Sequence, residues 1–279
     1  MTRIALVQTN ATGDAERNRE RACALVREAA EAGARFVATP EVTNLIAPGR
    51  EALFATICEE ADDPCLAALR EVAAERGIGV LIGSLALKAE GEEGRAVNRS
   101  FLIGPDGGIR ARYDKIHMFE ADLGEQGRFR EAASYRPGER AVVADAGWAR
   151  LGLTVCYDMR FPALYRALAK AGAQVLTAPS AFTVPTGRAH WHTLLRARAI
   201  ETGCFVIAPA QWGPHGGADE TSLRESYGHS LIVDPWGTVL ADAGEGTGIV
   251  HAEIDLSLMD KARGRIPSLS NDREWGVEG

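Results

Sequence analysis

Apolar positions along the chain follow two alternating rhythms, and their order predicts the architecture. Arg3 to Gln8 is an apolar run rich in strand formers, which passes through Thr9 to Gly13 into Asp14 to Ala32, where apolar residues return at helical spacing. Gly33 stops that helix, and Phe36 to Thr39 reads as a second buried strand ending at Pro40-Glu41. A helix at about Cys65 to Arg76 precedes three strand candidates, Gly79 to Leu87, Val97 to Ile103 and Gly108 to Tyr113. The last two are joined by the hairpin turn Pro105-Asp-Gly-Gly108.

A polar loop from about Phe119 to Glu139 follows, and then the same grammar begins again. Arg150 to Cys156 is a strand run, Pro162 to Ala171 a helix and Gln174 to Ala178 a strand. Helix Arg188 to Thr202, strand Phe205 to Ala210 and paired strands at Gly228 to Val233 and Thr238 to Ala241 complete the second half, the last two joined by Asp234-Pro-Trp-Gly237. Mixed strands with interleaved helices predict an α/β fold whose sheets are covered by helices on their outer faces. No Pro/Ser linker divides the halves, so residues 1–279 are expected to form a single domain.

Composition narrows the function. The chain has 279 residues, 46% hydrophobic and 25% charged, with a net charge of −7. That balance opposes non-specific attraction to nucleic acid or anionic membranes, and neither is expected as a partner. No segment has the length and apolarity of a membrane span, and the start of the chain lacks the pattern of a secretory leader. The five cysteines are scattered and odd in number, which reads as reduced thiols and a cytoplasmic protein. Asn98-Arg-Ser100 spells a glycosylation sequon that such a chain would never present to the glycosylating machinery.

Three polar residues stand where strand runs end, the usual place for ligand groups in α/β sheets: Glu41, Lys115 and Cys156. Cys156 leads through Tyr157-Asp-Met-Arg-Phe-Pro162 into a helix, whose N-terminal N–H groups would favour thiolate and hold an oxyanion. None of the six histidines is an obvious base by position. Glu41 can serve instead, because a carboxylate confined in a closed pocket has a raised proton affinity. Lys115 would stabilise the oxyanion. Read singly, Glu41 and Lys115 would be surface charges and Cys156 a packed thiol; their conjunction is the signal. No G-x-S-x-G or G-x-x-x-x-G-K-[ST] occurs, which disfavours a serine hydrolase and a nucleotide-binding protein.

These words resemble a known family. Pro40-Glu41, Tyr113-Asp-Lys-Ile-His117 and Thr154-Val-Cys-Tyr-Asp-Met-Arg-Phe-Pro162 are similar to the nitrilase (carbon–nitrogen hydrolase) superfamily, whose triad is Glu, Lys and Cys in that order. Leu176 to Phe182, Thr186 to Trp191, Leu194 to Glu201, Tyr227-Gly-His-Ser230 and Asp234-Pro-Trp-Gly237 resemble its branch acting on deaminated glutathione. The resemblance implies a four-layer α-β-β-α sandwich, a homodimer, no cofactor and a small-molecule amide substrate. It makes Cys156 the nucleophile, Glu41 the general base, and Lys115 the oxyanion stabiliser helped by the Tyr157 N–H. A second glutamate implied beside the lysine falls best on Glu131, with Glu120 and Glu125 as competitors, and the Gly-Glu-Gln-Gly127 spelling departs from the family pattern.

Deaminated glutathione carries an α-keto acid, so a cation is expected in the pocket. Arg160 is the candidate, against the alternative of a structural pair with Asp158, and Thr186 adds a hydroxyl. Tyr227 and His229 are candidates either for the pocket wall or for capping strands. His192 stands where relatives carry glutamate. His190 and His192, at i and i+2, point to different sides without a third ligand, so no metal is expected. The alternatives kept open are an omega-amidase acting on 2-oxoglutaramate and a non-catalytic binding protein on the same fold.

Overall fold

The first apolar run is a strand buried on both faces. In the computed structural model, which describes residues 1–122, 124, 128–216 and 224–278, β1 (Thr2–Gln8) sends Ile4 and Leu6 into a core shared with Leu151, Leu153 and Val206. Its Ala5 and Val7 face the other way, against Val26 and Leu69. A strand apolar on both sides has to lie between layers, which is why it reads as a continuous run and not as an alternation.

The first half continues with α1 (Ala15–Glu31), β2 (Phe36–Ala38), α2 (Arg50–Thr56), α3 (Pro64–Arg76), β3 (Gly79–Lys88), β4 (Ala96–Ile103) and β5 (Ile109–Asp114). Asp14 caps α1 by accepting from the Arg17 N–H at 3.0 Å, and Asp63 caps α3 by accepting from Leu66 at 2.8 Å. Pro64 sits in the first turn of α3, and Gly77 ends that helix in the left-handed region at φ 60°. The expected polar loop contains a short hairpin, β6 (Glu120–Asp122) and β7 (Arg128–Arg130), and a 3-10 turn at Glu131–Ala133.

The second half runs β8 (Val142–Asp145), β9 (Arg150–Leu153), α4 (Pro162–Lys170), β10 (Val175–Thr177), α5 (Val184–Thr202) and β11 (Phe205–Ala208). Then come the small ribbon β12 (Trp212–Pro214) and β13 (Glu225–Tyr227), followed by β14 (Leu231–Val233), β15 (Val239–Asp242), β16 (Gly248–Ile254) and α6 (Ser257–Arg265). Helix α5 starts four residues before the expected Arg188, because Pro185 fits its first turn.

The two large sheets have the orders β16-β1-β2-β3-β4-β5 and β8-β9-β10-β11-β14-β15. In each, three parallel strands form the centre and antiparallel strands flank them. The repeat anticipated from the sequence is therefore a repeat of topology, with one exception: β16 comes from the far end of the chain to supply the edge that β8 supplies locally. Helices α1 and α3 cover the first sheet, α4 and α5 the second, and the sheets face each other, giving the α-β-β-α layering.

At Gly83 the chain beyond β2 and the chain beyond β10 crowd against β3. A Cβ there would sit 2.0 Å from the Thr39 carbonyl oxygen and 2.5 Å from Pro179 Cβ. Only a glycine lets the strand ends carrying Glu41 and Ala181 approach this closely.

Candidate active site

Glu41 follows β2, Lys115 follows β5 and Cys156 follows β9, so each candidate stands just beyond a strand. Cys156 has φ 49°, in the left-handed region that non-glycine residues rarely adopt, and its N–H donates to the Pro179 carbonyl at 2.9 Å. Val42, next to Glu41, has φ 47°. The chain turns sharply at both residues.

All three side chains are buried in one cluster. Lys115 Nζ donates to Glu41 Oε1 and to Glu131 Oε2, each at 2.8 Å, and Glu41 Oε2 accepts from the Ala181 N–H at 2.8 Å. The Cys156 thiol lies on the same cavity wall as the Glu41 carboxylate, close enough for each to shift the other's proton affinity. Glu131 also accepts from the Phe119 N–H at 2.6 Å, so the structure brings Glu131 to the lysine. Glu120 lies exposed on β6, and Glu125 lies outside the described residues.

Burial by itself raises the proton affinity of Glu41, as its confinement suggested. The Lys115 charge and hydrogen bond, the Cys156 thiol and the Ala181 N–H outweigh it, and Glu41 titrates below its ordinary value. Burial lowers Lys115, but Glu131 and Glu41 overcome it, and the ammonium is held well above the usual range. Burial and then the Glu41 charge push the Cys156 thiol far up, with Lys115 opposing. This corrects the expectation of a thiolate favoured by a helix start. A 3-10 turn, Cys156–Arg160, follows the cysteine, and α4 begins only at Pro162. The resting site is an ionised carboxylate beside a neutral thiol.

Two residues that sequence reasoning missed hold this arrangement. Asn98, 2% exposed on β4, donates from Nδ2 to Glu41 Oε1 at 2.9 Å and to Glu131 Oε1 at 3.1 Å. Its only signal was the sequon, which this burial makes unusable in the folded chain. Asp158, fully buried, accepts from the Val155 N–H at 2.8 Å, the Tyr113 hydroxyl at 2.6 Å and the His117 N–H at 3.0 Å. It thereby ties the segment carrying Lys115 to the turn carrying Cys156, and it does not pair with Arg160.

The cluster opens on a cavity of about 520 Å³ whose wall includes Tyr157, Phe182 and Thr186, together with Arg50, Arg130 and Arg224. Thr186 Oγ1 lies 2.7 Å from Thr183 Oγ1. Arg160 is set behind this wall, its guanidinium 5.3 Å from the Phe182 ring centre and 5.9 Å from that of Tyr157, with both terminal nitrogens 3.3 Å from His190 Nδ1. Among the described residues no carboxylate lies within ion-pair distance of it. Tyr227 and His229 do not line the cavity. The expected separation of His190 from His192 is observed, but His192 turns toward His229 and Asp242.

This geometry accompanies a clear kinship. A deaminated glutathione amidase of Homo sapiens is 40% identical over 276 residues, covering 97% of this chain and 82% of that protein. The crystal structure of the Caenorhabditis elegans NitFhit protein matches with a TM-score of 0.88 at 38% identity, covering 98% of this chain and 65% of that one. A mutant amidase from Nesterenkonia sp. AN1, 26% identical with a TM-score of 0.77 over 96% of this chain and 98% of that one, carries acrylamide added at its active-site cysteine. Residues 3–264 match the carbon-nitrogen hydrolase family, and the chain belongs to that family.

Proposed function

We propose that the protein hydrolyses deaminated glutathione to 2-oxoglutarate and cysteinylglycine, a metabolite-repair reaction, by a cysteine-dependent route. The observation that carries this reading is the buried Glu41–Lys115–Cys156 cluster opening on a cavity of about 520 Å³ into which an acidic chain sends several arginines. A substrate with a carboxylate at each end suits such a wall.

In the proposed reaction Cys156 attacks the amide carbonyl as its proton passes to Glu41, so charge never develops on a free thiolate. Lys115 and the Tyr157 N–H bind the oxyanion. Glu41 returns the proton to the leaving amine, and a thioester remains on Cys156. Water, deprotonated by Glu41, then hydrolyses that thioester. Glu131 and Asn98 position Lys115 and Glu41 throughout. Arg160, expected to hold the α-keto acid carboxylate, lies behind the Tyr157 and Phe182 rings, so that role is assigned instead to the arginines of the wall, Arg50, Arg130 and Arg224, with Thr186 adding a hydrogen bond.

The same reading has the protein working without cofactor as a cytoplasmic homodimer. Its five free cysteines suit a reducing compartment, and Ile200 and Trp236, half exposed, offer apolar surface to a second copy. Among the described residues no helix is long and apolar enough to cross a membrane. Light scattering of the eluting protein tests the dimer.

The test of function is kcat/KM for deaminated glutathione against 2-oxoglutaramate, which share an acyl half and differ in what leaves. A preference of at least about tenfold for the first is expected, equivalent to about 1.4 kcal/mol of contact with cysteinylglycine. A reversed preference makes the protein an omega-amidase, and turnover of neither overturns the substrate assignment.

A further inference from the structure

A second cluster of chemistry-bearing side chains lies away from the cavity. His192 comes from α5, His229 from the turn between β13 and β14, and Asp242 from the end of β15, and none of them lines the catalytic pocket. His192 Nε2 is 2.9 Å from Asp242 Oδ2. His229 Nδ1 is 2.9 Å from Asp242 Oδ1 and 3.2 Å from Oδ2. One nitrogen from each imidazole and a carboxylate oxygen all lie within 4.8 Å of one another. We propose that His192, His229 and Asp242 form a binding site for a divalent transition-metal ion of the zinc type.

The donor set decides the class of ion. Two imidazoles and one carboxylate are the ligands of zinc and its neighbours, whereas magnesium and calcium take six or more oxygens. Zinc–nitrogen and zinc–oxygen bonds of about 2.0–2.2 Å place donors roughly 3–3.5 Å apart in a tetrahedron, so the three groups stand near the required spacing with one corner left for water.

The groups around the cluster hold it in shape. His229 has φ 56°, a strained value for a non-glycine residue, and this conformation is fixed on both sides: its N–H donates to the Gly244 carbonyl at 2.9 Å and its carbonyl accepts from Trp191 Nε1 at 2.8 Å. Tyr227 stacks on the His229 ring at 4.4 Å, with the planes 21° apart. The Gly244 N–H donates to Asp242 Oδ1 at 2.8 Å, which orients the carboxylate.

The ion would pin α5 to the β14–β15 hairpin, adding coordinate bonds among residues 192, 229 and 242 to the packing and hydrogen bonds that already connect them. Its role is structural, and the amidase chemistry does not pass through it.

The test uses the full-length Cys156→Ala protein, so that the reactive thiol does not compete for the metal. Calorimetric titration with zinc is expected to show one ion per chain, and cobalt the visible absorption of a tetrahedral site. At a hundredfold excess over Kd, zinc is expected to raise Tm by about 5 °C. His192→Ala and Asp242→Asn, both at partly exposed positions, are expected to weaken binding at least tenfold and, at the same zinc concentration, to cut the Tm rise to about half or less, while leaving the metal-free Tm within about 2 °C. Magnesium is expected to do nothing. Absence of zinc binding below millimolar concentration, or zinc binding unchanged in His192→Ala, overturns the proposal.

Discussion

Asn98 Nδ2 donates to Glu41 Oε1 at 2.9 Å from a strand 57 residues further along the chain, and it is the same nitrogen that reaches Glu131 Oε1 at 3.1 Å. One buried amide therefore spaces two carboxylates that would otherwise repel across Lys115. A hydrogen bond to a buried charge is worth about 1.5–3 kcal/mol. Asn98→Ala is expected to lower kcat roughly 10- to 100-fold with a smaller change in KM, measured by steady-state kinetics on the amide substrate. Wild-type kcat in this variant would remove Asn98 from the positioning scheme.

Cys156 and Cys204 are both buried thiols, yet only one opens on the cavity. Cys156→Ala is expected to abolish turnover while the circular dichroism spectrum and Tm stay native. In Cys204→Ala, which loses the contact of Arg263 Nη2 with Sγ at 3.0 Å, stability is expected to fall by about 1 kcal/mol with most activity retained. Equal activity losses in the two variants would sink the nucleophile assignment.

The neutral thiol beside an ionised Glu41 sets the pH profile. An isolated cysteine gains reactivity through its titration near ~8.5. Iodoacetamide alkylation of Cys156, followed by mass spectrometry, is expected to show no such rise. Because Glu41 is lowered, the acid limb of kcat/KM should fall below its ordinary value of 4.5. An alkylation midpoint near ~8.5 would show that Glu41 is not the thiol's proton acceptor.

His215 is buried with Nδ1 2.8 Å from the Ala11 carbonyl oxygen and Nε2 2.7 Å from Ser226 Oγ, a pattern that suits the neutral ring. Burial, and then the Arg224 charge, lower it to about 4. Its ordinary value is 6.5, so the unfolded chain binds the extra proton first as pH falls. The stability His215 contributes is complete above pH ~6.5 and declines toward pH ~4, by roughly 3 kcal/mol in all and about 2 kcal/mol by pH ~5. Urea melts of wild type and His215→Gln at pH 7 and pH 5 are expected to differ in their pH dependence by about that amount. Parallel behaviour of the two proteins would contradict the neutral ring.

Legibility in the sequence followed burial. Runs such as Ile4 to Val7 and Phe205 to Ala208 could be read because strands covered on both faces leave unbroken apolar words. β16 has intermediate exposure along most of its length, and its Gly-Ile-Val-His-Ala-Glu-Ile composition lacks either rhythm, so it escaped notice, as did α6. Glu41, Lys115, Cys156 and Glu131 stood out through strand ends and family words. Asn98 and Asp158 did not, because a buried polar residue is spelled like an exposed one and only its partners distinguish it. The cluster of His192, His229 and Asp242 was invisible for a further reason: its members belong to three elements that only the second sheet brings together.

The matched strand orders conceal an asymmetry in how the halves come to exist. The second sheet draws its strands from the continuous stretch 142–242, so it can close as soon as that stretch has left the ribosome. The first cannot, since Thr2 pairs with Ile254 and the whole of β1 with residues 248–254. From its own synthesis until that of β16, β1 therefore waits with one bare edge, the kind of surface on which nascent chains stick to one another. β1 is thus sealed only after every strand of the second sheet has been made.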